Sequence, residues 1–275
     1  TSDQNVAGGN CALTALEILS KKVITLYASP FDLIKDENTQ EQIENLIKKQ
    51  RPVSRLRNKK ESIVQRLLSS NAPIIKKIEK ACQRIFKHAD LIFIPGSCSD
   101  VNPMFYGKAN ETYQEGKHTY FKSNPNTQSL FELFQFSVIK YAQDKKTPLF
   151  GICRGAQLLN VFHGGTLIQN VANKDFLSPI NLKKLLPFDF DTKIFTALSL
   201  HHQAVDELGR DIQIIGENDD CMIKIINHKS GSIGIQFHPE LILNKSSFLK
   251  KLFNDPLKQA FFSFMYDSFK DFKGL

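Results

Sequence analysis

Hydrophobic and polar positions repeat with two periods along this chain. Helical spacing marks residues 11–19, 130–141 and the run after Cys153. It also marks Ile63, Val64, Leu67 and Leu68, then Ile74, Ile75, Ile78, Cys82, Ile85 and Phe86, with Pro73 placed to begin the second helix. Short apolar runs predict strands over 23–27, 91–94, 149–152, 212–215, 223–226 and 232–237, and residues 248–253 and 256–269 predict closing helices. Helices alternate with strands early, and strands dominate later. That order predicts an α/β fold, a doubly wound, mostly parallel sheet flanked by helices on both faces, with a small antiparallel extension. In such sheets ligands meet the C-terminal ends of the strands.

Two strand ends carry candidate chemistry. In Leu149-Phe150-Gly151-Ile152-Cys153-Arg154-Gly155 a strand breaks at a cysteine between two glycines and a helix follows. A nucleophile on such a turn projects clear of the sheet, and a helix N-terminus favours a thiolate. Most cysteines are inert small hydrophobes. Cys11 and Cys82 fall on apolar helix faces, Cys98 in a loop and Cys221 before a strand, so none shares the setting of Cys153. Far downstream, Ile233-Gly234-Ile235-Gln236-Phe237-His238-Pro239-Glu240 is a strand that ends in a candidate base, His238, and a candidate orienter, Glu240. Two residues apart in extended chain, they share one side, and Pro239 stiffens the turn between them. A thiol needs a base for its proton, and an imidazole needs an acceptor on its far nitrogen.

With Gly-Ile-Cys-Arg-Gly followed by His-Pro-Glu, the chain resembles the class I glutamine amidotransferase-like superfamily, whose fold is flavodoxin-like. Pro95-Gly96-Ser97 with Asp100-Val101-Asn102-Pro103 and Tyr106-Gly107 is similar to the γ-glutamyl-γ-aminobutyrate hydrolases within it. So are Gln157-Leu158-Leu159-Asn160-Val161, Gly164-Gly165-Thr166-Leu167 and Ser199-Leu200-His201-His202-Gln203. The resemblance implies a triad of Cys153, His238 and Glu240 that cleaves a γ-glutamyl amide or isopeptide through a thioester. It implies an oxyanion hole from the main-chain N–H groups of Gly96 and Arg154, and contacts to the glutamyl end from Gln157, Ser199, Leu200 and His201. The Arg154 side chain is left with two readings, a helix-start or surface salt bridge and a substrate contact. Adjacent histidines point apart on extended chain, so His201 and His202 are not read as metal ligands, and no metal or cofactor is expected. His163 reads as a helix-end residue.

The chain departs from that pattern at several pocket positions. Ser97 stands where relatives commonly have a second glycine, and Leu198 precedes Ser199 where an asparagine is common. Lys224 follows Asp219-Asp220-Cys221-Met222-Ile223 where an acidic residue is usual, and Glu132 is the one residue kept of a usual helix start. These changes bear on the amine that leaves, not on the reaction type.

Composition adds bounds. The chain of 275 residues, 41% hydrophobic, suits a single domain over 1–275, and no apolar run approaches a membrane span. Five cysteines without framework spacing suit a reducing, cytoplasmic compartment, with export from the producing cell left open. Net charge is +8, and its basic part is concentrated in a mostly helical insertion at about 35–88. That segment is expected either to be a solvated face or to dock an acidic macromolecule such as a polyglutamylated protein side chain, beside the expected small γ-glutamyl substrate or γ-glutamylated peptide. Aromatic residues do not interleave with its cations, which disfavours nucleic acid. Residues 1–10 read as the loop after a strand, so an upstream strand is expected to be missing from the sequence. Beside the hydrolase reading stand a glutaminase subunit that feeds ammonia to a synthase and a non-catalytic binding module. Oligomeric state is left open.

Overall fold

Ser62 starts helix α1 (Ile63–Leu68) with a capping box, its hydroxyl accepting from Gln65 N–H while the Gln65 side chain accepts from Ser62 N–H. The computed structural model describes residues 61–89, 91–97, 99–109, 128–171, 177–183 and 194–238, with isolated positions between 42 and 49. Pro73 opens α2 (Pro73–Phe86), where its missing N–H costs nothing. Strand β1 (Ile92–Ile94), a tight 3-10 turn (Pro103–Tyr106), α3 (Gln128–Lys145), β2 (Leu149–Ile152) and α4 (Arg154–Phe162) follow. The remaining described elements are strands: β3 (Leu167–Ile168), β4 (Leu177–Leu182), β5 (Ile194–Leu198), β6 (Ala204–Val205), β7 (Ile212–Glu217), β8 (Ile223–His228) and β9 (Ile233–Ile235).

Among the described residues seven strands form one mixed sheet in the order β1-β2-β9-β8-β7-β4-β5. β1, β2 and β9 run parallel, in the register Ile94 to Gly151 and Gly151 to Gly234, and their C-terminal ends carry the Gly96, Cys153 and His238 segments side by side. Beyond β9 every pairing is antiparallel. β3 and β6 form a separate two-stranded antiparallel sheet. All four residues of β2 are buried, as expected of a strand covered on both faces. Helix α4 packs on β2 and β9, α3 on α4, α2 on α3, and α1 on α4.

The fold is α/β as expected, and the antiparallel part is wider among the described residues than sequence patterning indicates. The predicted strand at 149–152 appears with those bounds, and those at 91–94, 212–215, 223–226 and 232–237 appear with ends moved by one or two residues. β4 and β5 are not among the predicted strands; Pro179 interrupts the run of β4. The helices expected at 11–19, 248–253 and 256–269, the strand at 23–27 and the loop at 1–10 lie outside the described residues.

The described half of the basic segment contributes its apolar face to the core. Val64, Leu67, Leu68, Ile74, Ile75, Ile78 and Cys82 are buried in the main hydrophobic cluster, and Ser62 Oγ donates to the Phe162 carbonyl at the end of α4 (2.7 Å). Lys76, Lys77, Lys80 and Arg84 line the exposed face of α2. No helix among the described residues is long and apolar enough to cross a membrane.

Candidate active site

Cys153 takes φ 50° and ψ −104°, a left-handed conformation that a non-glycine residue adopts only under strain, at a typical cost of about 1–3 kcal/mol. The surroundings impose it. Its N–H donates to the Ile235 carbonyl at the end of β9 (2.6 Å), and α4 begins at the next residue. A side chain at Gly155 would stand 2.3 Å from the Ile94 carbonyl oxygen, and one at Gly151 2.6 Å from the Gly155 carbonyl carbon. Helix and strands therefore approach at the flanking glycines more closely than any other residue permits. The turn aims Sγ at two groups: the thiol donates to the Leu200 carbonyl (3.9 Å), and Gln236 Nε2 donates to Sγ (3.6 Å). Cys82 supplies the contrast, since burial first and Glu79 second push its thiol up to about 12, which leaves it inert.

Gly96 lies between the cysteine and the histidine. A Cβ there would come 2.8 Å from His238 Cε1 and 3.3 Å from Cys153 Cβ, so only glycine lets this loop's backbone reach both side chains. His238 is hung from β5, its N–H donating to the Leu198 carbonyl (2.9 Å). Cys153, Gly96 and His238 are thus brought together from three strand ends. Glu240 and Pro239 lie outside the described residues.

Of its two readings the Arg154 side chain takes the helix-start salt bridge. It is 1% exposed and turns into the protein, with its guanidinium 2.9 Å from Glu132 Oε1, also bonded to Gln135 Oε1 and over the Phe131 ring. The ion pair is buried rather than at the surface. Glu132 Oε1 also accepts from Asn102 N–H (2.9 Å), so the pair ties α3 and α4 to the loop that follows Gly96.

Residues 199–203 run alongside. Leu200 presents its carbonyl to Sγ and leaves its side chain 43% exposed. Ser199 Oγ accepts from Lys224 Nζ (2.9 Å), and Lys224 Nζ lies 3.2 Å from His201 Nε2. Burial first, then Lys224, lower the His201 pKa to about 3, so the imidazole is neutral at working pH. With an ammonium against its Nε2, His201 is a poor place for a metal cation. His202 pairs with Asp100 (2.9 Å), and Gln203 bonds both backbone groups of Val101 through its carboxamide (2.7 and 3.0 Å). These bonds join the Asp100-to-Gly107 and Ser199-to-Gln203 segments. Gln157 is buried, with Nε2 donating to the Gln203 carbonyl (2.7 Å) and to Gln236 Oε1 (3.2 Å); both amide protons are held by protein. Two residues at the site carried no assigned role from sequence, Gln236 and Lys224. The second was visible only as a departure from the usual acidic residue.

His163 ends α4 and is stacked 3.7 Å from His228, with the Phe162 ring against its edge. It is a packed core residue whose pKa burial lowers to about 3.

A family model described as Peptidase C26 matches residues 39–240, a span that takes in the described part of the basic segment. A candidate glutamine amidotransferase of Schizosaccharomyces pombe is 35% identical over 138 residues, 43% of this chain and 53% of the relative, so the chain spans about half of that protein. A glutamine amidotransferase-like protein of Lactococcus lactis is 28% identical over 184 residues, covering 60% of this chain and 71% of its own. The γ-glutamyl-γ-aminobutyrate hydrolase of Escherichia coli is more distant, 25% identical over 185 residues, 58% of this chain and 66% of its own. The special kinship to that hydrolase suggested by the loop motifs therefore gives way to a broader one. The chain belongs to the peptidase C26 family of class I glutamine amidotransferase-like proteins.

Proposed function

We propose that the protein is a thiol hydrolase that cleaves a γ-glutamyl amide or isopeptide bond. The observation that carries this reading is the approach of Cys153, on its strained turn, to His238 across Gly96. In the proposed reaction His238 takes the thiol proton and Sγ attacks the γ-carbonyl carbon. The carbonyl oxygen becomes an oxyanion held by the main-chain N–H groups of Gly96 and Arg154, which need no reorganisation as charge develops. The C–N bond then breaks, His238 returns its proton to the amine, and a thioester remains on Cys153. Water, deprotonated by His238, attacks the thioester and frees glutamate and the thiol. Glu240 is the proposed acceptor for the far imidazole nitrogen.

The pocket strip of Ser199, Leu200 and His201 is the proposed wall for the glutamyl group. Lys76, Lys77, Lys80 and Arg84 on α2 are the described cations that an acidic, γ-glutamylated partner would meet.

A second reading, ammonia production from glutamine for a synthase partner, is favoured by the descriptions of the fission yeast and Lactococcus relatives. Glutamate and amine release from glutamine, γ-glutamyl-γ-aminobutyrate and a γ-glutamylated peptide separates the two. The hydrolase reading expects turnover of the amine-substituted substrates without a partner. Turnover of glutamine alone supports the glutaminase, and no release from any of the three supports a binding module.

A further inference from the structure

Gln236 touches the candidate nucleophile, and the mechanism above does not use it. Its backbone N–H donates to the Lys224 carbonyl (2.8 Å), its side chain is 1% exposed, and its Nε2 lies 3.6 Å from Cys153 Sγ. Which end of the carboxamide faces the sulfur follows from a chain of bonds. The Gln203 main-chain carbonyl can only accept, so the Gln157 atom 2.7 Å away is its nitrogen. That same nitrogen is 3.2 Å from the Gln236 carboxamide, which must therefore present oxygen to it and nitrogen to Sγ. The two neighbours of Sγ then favour opposite protonation states. The Leu200 carbonyl accepts from the thiol, whereas the Gln236 N–H has its best partner in the thiolate.

We propose that Gln236 is a catalytic residue that stabilises the Cys153 thiolate by hydrogen bonding, and that Gln157 is a positioning residue that keeps the Gln236 carboxamide nitrogen turned toward sulfur. The proposal rests on the reading of Cys153 as the nucleophile. It gives Gln157 a role distinct from contact with the glutamyl group. Hydrogen bonds to charged groups are the stronger class, so loss of this one costs reactivity where the thiolate is the minor form.

The test is the pH profile of iodoacetamide alkylation at Cys153, which needs no glutamyl substrate. Gln236→Leu is expected to alkylate about tenfold more slowly at pH 7 and to recover at higher pH, a displacement that a purely structural role would not produce. A profile that superimposes on wild type overturns the proposal. Should Gln236→Leu fail to fold, the wild-type protein supplies the second measurement. The Gln236 side-chain amide protons are followed by NMR across the titration, with Cys153→Ala as reference. They are expected to move as the thiol ionises and to stay still in Cys153→Ala, and stillness in both proteins overturns the proposal. A displaced profile in a protein that hydrolyses no γ-glutamyl amide leaves this inference standing and removes the proposed function. An unchanged profile in an active hydrolase removes this inference alone.

Discussion

Lys224 Nζ and His201 Nε2 face each other at 3.2 Å beside the candidate nucleophile, and the lysine is 2% exposed. A buried ammonium against an imidazole disfavours a second positive charge, and Lys224 follows burial among the causes that lower the His201 pKa to about 3. Lys224→Met is predicted to let His201 titrate closer to the ordinary histidine range. NMR of the His201 ring protons checks this; a titration unchanged from wild type would show that burial alone keeps the ring neutral.

Gly96 and Gly155 predict opposite kinds of damage. A methyl at Gly96 meets the His238 ring, a side chain that can swing away, so Gly96→Ala should keep most stability and lose activity on γ-glutamyl amides by at least tenfold. A methyl at Gly155 meets the backbone carbonyl of Ile94, which cannot swing away. Gly155→Ala is therefore expected to destabilise by about 1–3 kcal/mol, measured by urea unfolding. Equal stability of the two variants would contradict the described packing.

Arg154 and Glu132 form an ion pair in which both side chains are almost fully buried. Removing one partner of such a pair strands a charge, so Arg154→Met should cost about 3–5 kcal/mol in unfolding free energy. The double variant Arg154→Met with Glu132→Leu is predicted to be more stable than Arg154→Met alone. If Arg154→Met unfolds like wild type, the pair does not hold α3 and α4 together in solution.

Much of the parallel part of the sheet was legible because it depends on local signals. Strand runs, flanking glycines and the two ordered motifs at Cys153 and His238 all lie within short windows. β4 was not legible, since Pro179 breaks its run and only pairing with β5 and β7 makes it a strand. The burial of Arg154 was equally hidden. Its partners, Glu132 and Gln135, lie on another helix, although Glu132 had stood out as a retained family residue. Nor does a sequence distinguish a glutamine that holds substrate from one that holds another glutamine, which is the case for the amide protons of Gln157.

Acid sensitivity follows from the buried histidines. Burial lowers the pKa of His163 and His201 to about 3 and also lowers that of His228. In the unfolded chain these rings protonate near 6.5, whereas the folded chain binds those protons only at lower pH. Between about pH 6.5 and pH 3 the unfolded state therefore holds more protons, and stability falls as pH falls. The slope is at most about 1.4 kcal/mol per pH unit for each such histidine. Melting temperatures should be steady above neutrality and drop through this window, and His163→Phe should flatten the drop. A drop of wild-type steepness in His163→Phe would remove that residue from the account.

The central claim, a covalent intermediate on Cys153, is tested most directly by mass spectrometry. The protein is mixed with γ-glutamyl-γ-aminobutyrate or a γ-glutamylated peptide, quenched in acid and digested. The account predicts a glutamyl adduct on the peptide that contains Cys153, and neither adduct nor glutamate release in Cys153→Ala. Glutamate release by Cys153→Ala at the wild-type rate would contradict it.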